Sequence, residues 1–182
     1  MARTVPSIAQ KNPGDFLTGA VWNANVKAMG DWLLGSSSNG VPRFRGHQGA
    51  AQSLADNTWT GLTLDTEDFD SDNGHSTTTS TSRYTVQVAG TYAVTGSVGF
   101  ASNTTGLRGV RIAVSGVSVP GSAVRTPAGT TAFAYGLVTC CQVVCSVGDY
   151  IEVQGNQTSG AALNTNVGTD VACSLGAYWI SG

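Results

Sequence analysis

From Val41 onward the apolar positions recur at every second residue. Tyr84, Val86 and Val88 alternate with polar neighbours, and after Ala89-Gly90 the series continues as Tyr92, Val94, Gly96, Val98 and Phe100. Val110, Ile112 and Val114 follow. Then come Phe133, Tyr135 and Leu137, onward to Cys141, Val143 and Cys145, and Ile151 and Val153 after the turn Gly148-Asp149. Successive side chains point to opposite faces of a strand, so this period predicts half-buried strands. Short alternating runs separated by Gly, Asn, Ser and Pro clusters predict a β-sandwich or barrel. The final run differs. Val171, Cys173, Leu175, Ala177 and Trp179 lie on one side, and Ala172, Gly176, Tyr178 and Ile180 on the other. Such a strand is expected at the centre of its sheet, packed on both faces. In a lone domain its outer face would be an exposed apolar patch, which self-association would cover. Leu175, Tyr178, Trp179 and Ile180 are therefore the candidate interface residues.

The first forty residues read differently. Pro6 and Pro13-Gly14 predict an extended arm over residues 1–14. A helix fits from Leu17 to Leu34, with Asp15 or Thr18 as its cap and Gly35 as its stop. Trp22, Val26, Met29 and Leu33 recur at i, i+4, i+7 and i+11, and Val21, Ala28 and Trp32 widen the stripe. One helix cannot bury two Trp side chains by itself. Trp22, Val26, Met29, Trp32 and Leu33 are thus the candidate attachment residues, and they need the head, a second copy or another protein to pack on. Gly35-Ser36-Ser37-Ser38-Asn39-Gly40 reads as a flexible linker. The chain divides into residues 1–40, an arm, helix and linker, and residues 41–182, a head.

Composition narrows the function. Of the 182 residues only 11% are charged, against about 25% in an average soluble domain. Thr, Ser and Asn take the polar positions instead. A surface so poor in charge is suited to contact with copies of itself or with other proteins. The net charge is −2, with seven Arg scattered along the sequence, which gives no electrostatic footprint for nucleic acid. No apolar run is long enough for a membrane-spanning helix, so no membrane insertion is expected. The start, Met1-Ala2-Arg3-Thr4-Val5-Pro6, has no apolar signal-peptide core, which points to folding in a cytosol.

Candidate chemistry is sparse. Asp65-Thr66-Glu67-Asp68-Phe69-Asp70-Ser71-Asp72-Asn73-Gly74 is acidic, and Asp68, Asp70 and Asp72 alternate. The plain expectation is a solvated loop. The alternative is a weak Ca²⁺ site between subunits, but Gly74 at loop position seven and Thr79 at twelve exclude an EF-hand. With His75, these three Asp form the candidate ligand loop. A Ser76–His75–Asp72 set resembles a triad only on paper, because contiguous loop residues seldom converge. The hydroxyl-rich tract Ser76–Ser82 is read first as a solvated strand entry and second as a contact for glycans or neighbouring subunits. His47, flanked by Arg45, is a surface or interface residue. Cys140, Cys141, Cys145 and Cys173 lack Cys-x-x-Cys spacing and are expected to be free thiols, with a bridge to Cys173 as the alternative. The sequence assigns no catalytic residue, no metal ligands and no cofactor.

Three segments carry a resemblance. Arg83-Tyr84-Thr85-Val86-Gln87-Val88-Ala89-Gly90-Thr91-Tyr92 resembles the strand–Ala-Gly-x-Tyr passage of the globular heads of the first complement component, whose fold is shared by the tumour necrosis factor (TNF) ligands. Val147-Gly148-Asp149-Tyr150-Ile151-Glu152-Val153 resembles the turn before that family's penultimate strand, and Cys173-Ser174-Leu175-Gly176-Ala177-Tyr178-Trp179-Ile180 its closing strand. The resemblance covers Phe44 to the C-terminus. It implies an all-β, TNF-like jelly-roll sandwich of ten strands that trimerises through apolar inner strands. Ala2-Arg3-Thr4-Val5-Pro6, Trp22-Asn23-Ala24-Asn25-Val26-Lys27-Ala28 and His75-Ser76-Thr77-Thr78-Thr79-Ser80-Thr81-Ser82-Arg83-Tyr84 resemble small minor tail or minor capsid proteins of phages infecting actinobacteria. That second resemblance implies a virion protein, located on the particle, whose partners are other virion proteins. The alternative is an adhesin of the same fold that binds a receptor or glycan on the host-cell surface, through loops such as Glu67–Thr81 and Gly155–Asn166.

Overall fold

The computed structural model describes residues 5–35, 40–130 and 134–182. Its strands are β1 (Arg43–His47), β2 (Ser53–Leu54), β3 (Thr60–Gly61), β4 (Thr66–Asp70), β5 (Tyr84–Thr85), β6 (Gly90–Phe100) and β7 (Leu107–Val114). They continue as β8 (Val117–Ser118), β9 (Val124–Pro127), β10 (Tyr135–Cys145), β11 (Tyr150–Gln157), β12 (Leu163–Asn164) and β13 (Ser174–Ser181). Two large antiparallel sheets result, and β12 pairs with β2 as a short third one. A five-stranded sheet has the order β10-β6-β13-β1-β4; the other runs β3-β11-β7-β8, with β5 on β11 and β9 on β7. Phe44, Tyr84, Tyr92, Phe100, Ile112, Ile151 and Leu175 fill the space between the sheets, supplied by the alternating positions of the sequence. Phe133 lies outside the described residues.

The final strand occupies the centre of the five-stranded sheet, as its two-sided apolar pattern predicts. It begins at Ser174 rather than Val171, because the segment before it closes a turn in which the Val171 amide donates to the Gly168 carbonyl at 2.9 Å. The Ala89-Gly90-x-Tyr92 passage has a local explanation. Gly90 has φ +148°, and a Cβ there would lie 2.3 Å from both the Ser181 carbonyl oxygen and the Trp179 ring nitrogen. The bare glycine lets Trp179 lie across the strand and donate from Nε1 to the Ala89 carbonyl at 3.1 Å. Gly148, at φ +91°, makes the turn into β11. Asp149 then ties it down, accepting from the Ser146 amide at 2.8 Å and the Ser115 hydroxyl at 2.9 Å.

The N-terminal helix runs as α1 (Gly19–Val21), a π-helical stretch (Trp22–Lys27) and α2 (Ala28–Leu34). Thr18 is the cap, accepting from the Val21 amide at 3.2 Å, while Asp15 closes its own turn on the Asn12 amide. The helix lies on the head through one side. Trp32 is buried, its ring edge-on to Trp179 with centroids 5.4 Å apart, and Val21, Asn25, Ala28 and Met29 are half-buried beside it. Asn25 also accepts from the Ala9 amide at 2.8 Å, which fastens the arm to the helix. In the π stretch the Ala28 amide bonds back five residues to Asn23, so residues before it are turned relative to a plain α-helix. The expected stripe is therefore split. Trp32 faces the head and Met29 is half-buried, whereas Trp22, Val26 and Leu33 are exposed. Met1–Thr4 and the linker residues Ser36–Asn39 lie outside the described residues.

Candidate functional site: two outer faces and a closed loop

On the outer face of the five-stranded sheet, alternation brings small and apolar groups into the open. From β10, Val138 is 68% exposed and Val144 is 82% exposed, with Cys140 and Gln142 between them. β6 adds Thr91, Ala93, Thr95 and Ser97, and β13 adds Gly176, Tyr178 and Ile180. Tyr178 leans on Phe69 with ring centroids 6.1 Å apart, and the Arg43 guanidinium lies over the same Phe69 ring. At one end the face opens into a groove of about 690 Å³ lined by Arg45, His47, Asp68, Ser97, Asp170 and Ser174. Asp68 holds that end together, accepting from the Arg45 guanidinium and lying 3.2 Å from His47 Nδ1.

The candidate interface residues of the last strand separate accordingly. Tyr178 and Ile180 lie on the open face. Leu175 does not: it points into the chain's own core, fully buried, because it is an odd number of positions from both. Trp179 is occupied by Trp32 and the Ala89 carbonyl.

The acidic stretch is solvated only in part: Asp65, Glu67 and Asp68 are exposed, as a solvated loop would be, whereas its end turns inward. Asp72 and His75 are buried. The Tyr84 hydroxyl donates to the Asp72 carboxylate at 3.0 Å, and burial together with the Asp72 charge pushes the Tyr84 phenol far above its ordinary range. The His75 ring nitrogens face the Arg83 carbonyl at 2.8 Å and the Leu64 carbonyl at 2.9 Å, away from Ser76 and Asp72, so no triad geometry forms. Asp70 accepts from the His75 amide at 2.8 Å and the Asp72 amide at 3.2 Å. Asp68, Asp70 and Asp72 thus serve three different sets of donors. No cluster of three or more acidic, His or Cys side chains suited to a metal ion occurs among the described residues. The physical reason for the difference is Tyr84 and Phe44, whose stacked rings, 5.0 Å apart, draw the end of the loop onto the core.

The four thiols are free. Burial pushes Cys145 and Cys173 up to about 11, so at neutral pH both are protonated and act as small apolar groups. β6 lies between β10 and β13, which keeps Cys141 and Cys145 off the strand that follows Cys173. Among the described residues, no helix is long and apolar enough to cross a membrane.

The outer face of the other sheet carries a group that the sequence reading missed. Trp59, just before β3, is flanked by Arg111 of β7 at 4.3 Å and Arg125 of β9 at 5.3 Å, measured from guanidinium carbon to ring centroid. Two Arg fourteen positions apart look scattered in sequence. The β7–β9 pairing, with Gly109 opposite Arg125, is what joins them. A Cβ on Gly109 would lie 3.0 Å from the indole, so the glycine leaves room for the ring.

No family model matches the chain, and no curated protein matches it in sequence. Solved structures do match in shape. The globular domain of zebrafish complement 1qA protein has a TM-score of 0.56 at 13% identity, covering 76% of this chain and 97% of its own. Murine APRIL at pH 5.0 has a TM-score of 0.57 at 11% identity, with 76% and 98% covered. The Eiger TNF of S. frugiperda has 0.52 at 8% identity, with 78% and 93% covered. At such identities the likeness concerns fold alone, and it agrees with the strand order and core described above. The chain is an all-β jelly-roll sandwich of the complement-head and TNF kind.

Proposed function

We propose that this chain is a non-enzymatic structural protein of a bacteriophage particle, a minor tail, minor capsid or decoration protein. It assembles as a homotrimer through the outer face of its five-stranded sheet, and its arm and helix attach it to other virion proteins. The observation that carries this reading is the pair of open apolar surfaces on an otherwise well-filled domain. One is the Val138, Val144, Tyr178 and Ile180 face. The other is the helix side that exposes Trp22, Val26 and Leu33, preceded by exposed Phe16 and Leu17. Burying apolar area of this kind stabilises an assembly by about 25 cal/mol per Å². The placement in a virion rests on the resemblance of residues 2–6, 22–28 and 75–84 to small phage proteins.

Two measurements test the reading. The mass in solution is expected at three times the 18.6 kDa chain, and a monomer at micromolar concentration overturns the trimer. Removing residues 1–40 is expected to leave a trimeric head that fails to enter particles. Normal incorporation of that head overturns the anchoring role.

A further inference from the structure

We propose that Arg111, Trp59 and Arg125 form a recognition site for an oxyanion group carried on an acidic polysaccharide. The site lies on the sheet opposite the proposed trimer face, so the inference stands whether or not the chain assembles as argued above.

Like charges held together need a reason. Arg111 and Arg125 press on one indole, and none of the described residues offers either of them a carboxylate within ion-pair distance. Arg45 and Arg83 are answered by the carboxylates of Asp68 and Glu152, and the buried Arg108 by the carbonyls of Asn103, Thr105 and Leu107. Partial burial and the neighbouring Arg125 both lower the Arg111 pKa, the mark of a cation whose surroundings lack a counter-charge. An arriving oxyanion would supply it.

The geometry is also fixed in advance. Arg111 Nε donates to Gln154 Oε1 at 2.8 Å, and Gln154 in turn donates to Glu152 Oε2 at 3.2 Å. Gln154 is buried, so this arrangement is rigid, and it engages only the Nε of Arg111. The two terminal nitrogens keep their donors for a ligand, in the fork that matches sulfate, phosphate or carboxylate. Trp59 clamps both guanidinium planes by cation–π contact, which lowers the ordering cost of binding. Asn57 and Thr58, just before Trp59 in the chain, are exposed, so a ligand on the indole meets amide and hydroxyl groups nearby, chemistry suited to a sugar chain. The chain's net charge of −2 works against a long polyphosphate such as nucleic acid, which needs many cationic contacts.

The test uses the full chain with dextran sulfate, neutral dextran of equal length and a single-stranded oligothymidylate as probes. Dextran sulfate is expected to bind, with inorganic sulfate competing, while neutral dextran and the oligonucleotide do not. R125Q, an exposed change, is expected to weaken binding about tenfold, and R111Q/R125Q to abolish it. Retention of the wild-type circular dichroism spectrum and mass shows that these variants stay folded. Unchanged affinity in the folded double variant, equal binding of neutral dextran, or preference for the oligonucleotide each overturns the proposal.

Discussion

The two outer faces of the sandwich are built on opposite plans. On the six-stranded sheet the chain covers itself. Arg83 lies over Tyr150 at 4.1 Å and reaches Glu152, the Ser82 hydroxyl donates to Glu152 at 3.0 Å, and Trp59 lies over Gly109. Beneath that layer Ala113, Glu152, Gln154 and Asn156 are all buried. On the five-stranded sheet Val138, Val144, Tyr178 and Ile180 are exposed, and the centre is Ala93, Thr95 and Gly176. Small central residues with apolar groups around them let another backbone approach closely. The contrast shows how one fold can treat its two faces differently: one is finished within the chain, and the other, on the reading proposed above, is finished by a second copy.

The largest expected effect comes from breaking the open face. V138D/V144D is expected to convert the trimer to monomers, since each change places a charge at an apolar contact three times per assembly. Both positions are exposed in the single chain, so its folding should be intact, and light scattering reads the outcome. An unchanged mass removes this face as the interface. The matching change on the closed face, W59A, is expected to leave the mass alone and to cost about 2 kcal/mol in urea unfolding, from lost ring burial and two cation–π contacts. If W59A dissociates the trimer instead, the faces have been assigned the wrong way round.

Thiol chemistry sharpens the comparison with no mutation. Cys140 is exposed on the open face, whereas Cys145 and Cys173 are buried in the core. At pH 8 an aromatic disulfide reagent is expected to react with Cys140 first, several-fold more slowly in the trimer than in V138D/V144D, and with Cys145 and Cys173 only on unfolding. The smallest effect tests the core that both faces share. Cys145 and Cys173 are raised by burial from 9.0 to about 11, so each contributes stability that is complete below pH 9. That contribution is lost as the pH rises through the folded value, because the unfolded chain releases those protons first. Urea midpoints are expected to hold from pH 7 to 8.5 and to fall between 9 and 11, with about 1 kcal/mol from each thiol. A flat profile to pH 11 removes that contribution.

Much of the fold was legible because period-two burial is a property of neighbouring residues. Tyr92 to Phe100 shows it directly, and the two-sided pattern of Val171–Ile180 located the central strand. Contacts made by distant residues were not legible. Nothing local in Asp72 or His75 reports that Tyr84 and two carbonyls will take them inward, so an acidic loop reads as solvated. Leu175 was grouped with Tyr178 because composition marks a strand as apolar on both sides without saying which side is whose core. The Arg111–Trp59–Arg125 group is a product of strand pairing, and the only trace it leaves in the sequence is Gly109.

The π-helical stretch Trp22–Lys27 has a consequence for how the N-terminal segment tolerates a change of length. Such a stretch takes up one residue more than plain α-helical spacing between the same flanks. Losing a single codon there, at Asn23 or Ala24, would restore α-helical spacing and leave Trp22 and the arm pointing nearly as they do now, with Trp32 and its partner Trp179 still in register. The same loss within the plain helical turns of Ala28–Leu34 would swing everything before it by about 100°. The π stretch is thus a slack link, where a residue can be gained or lost without turning the arm or disturbing the jelly roll.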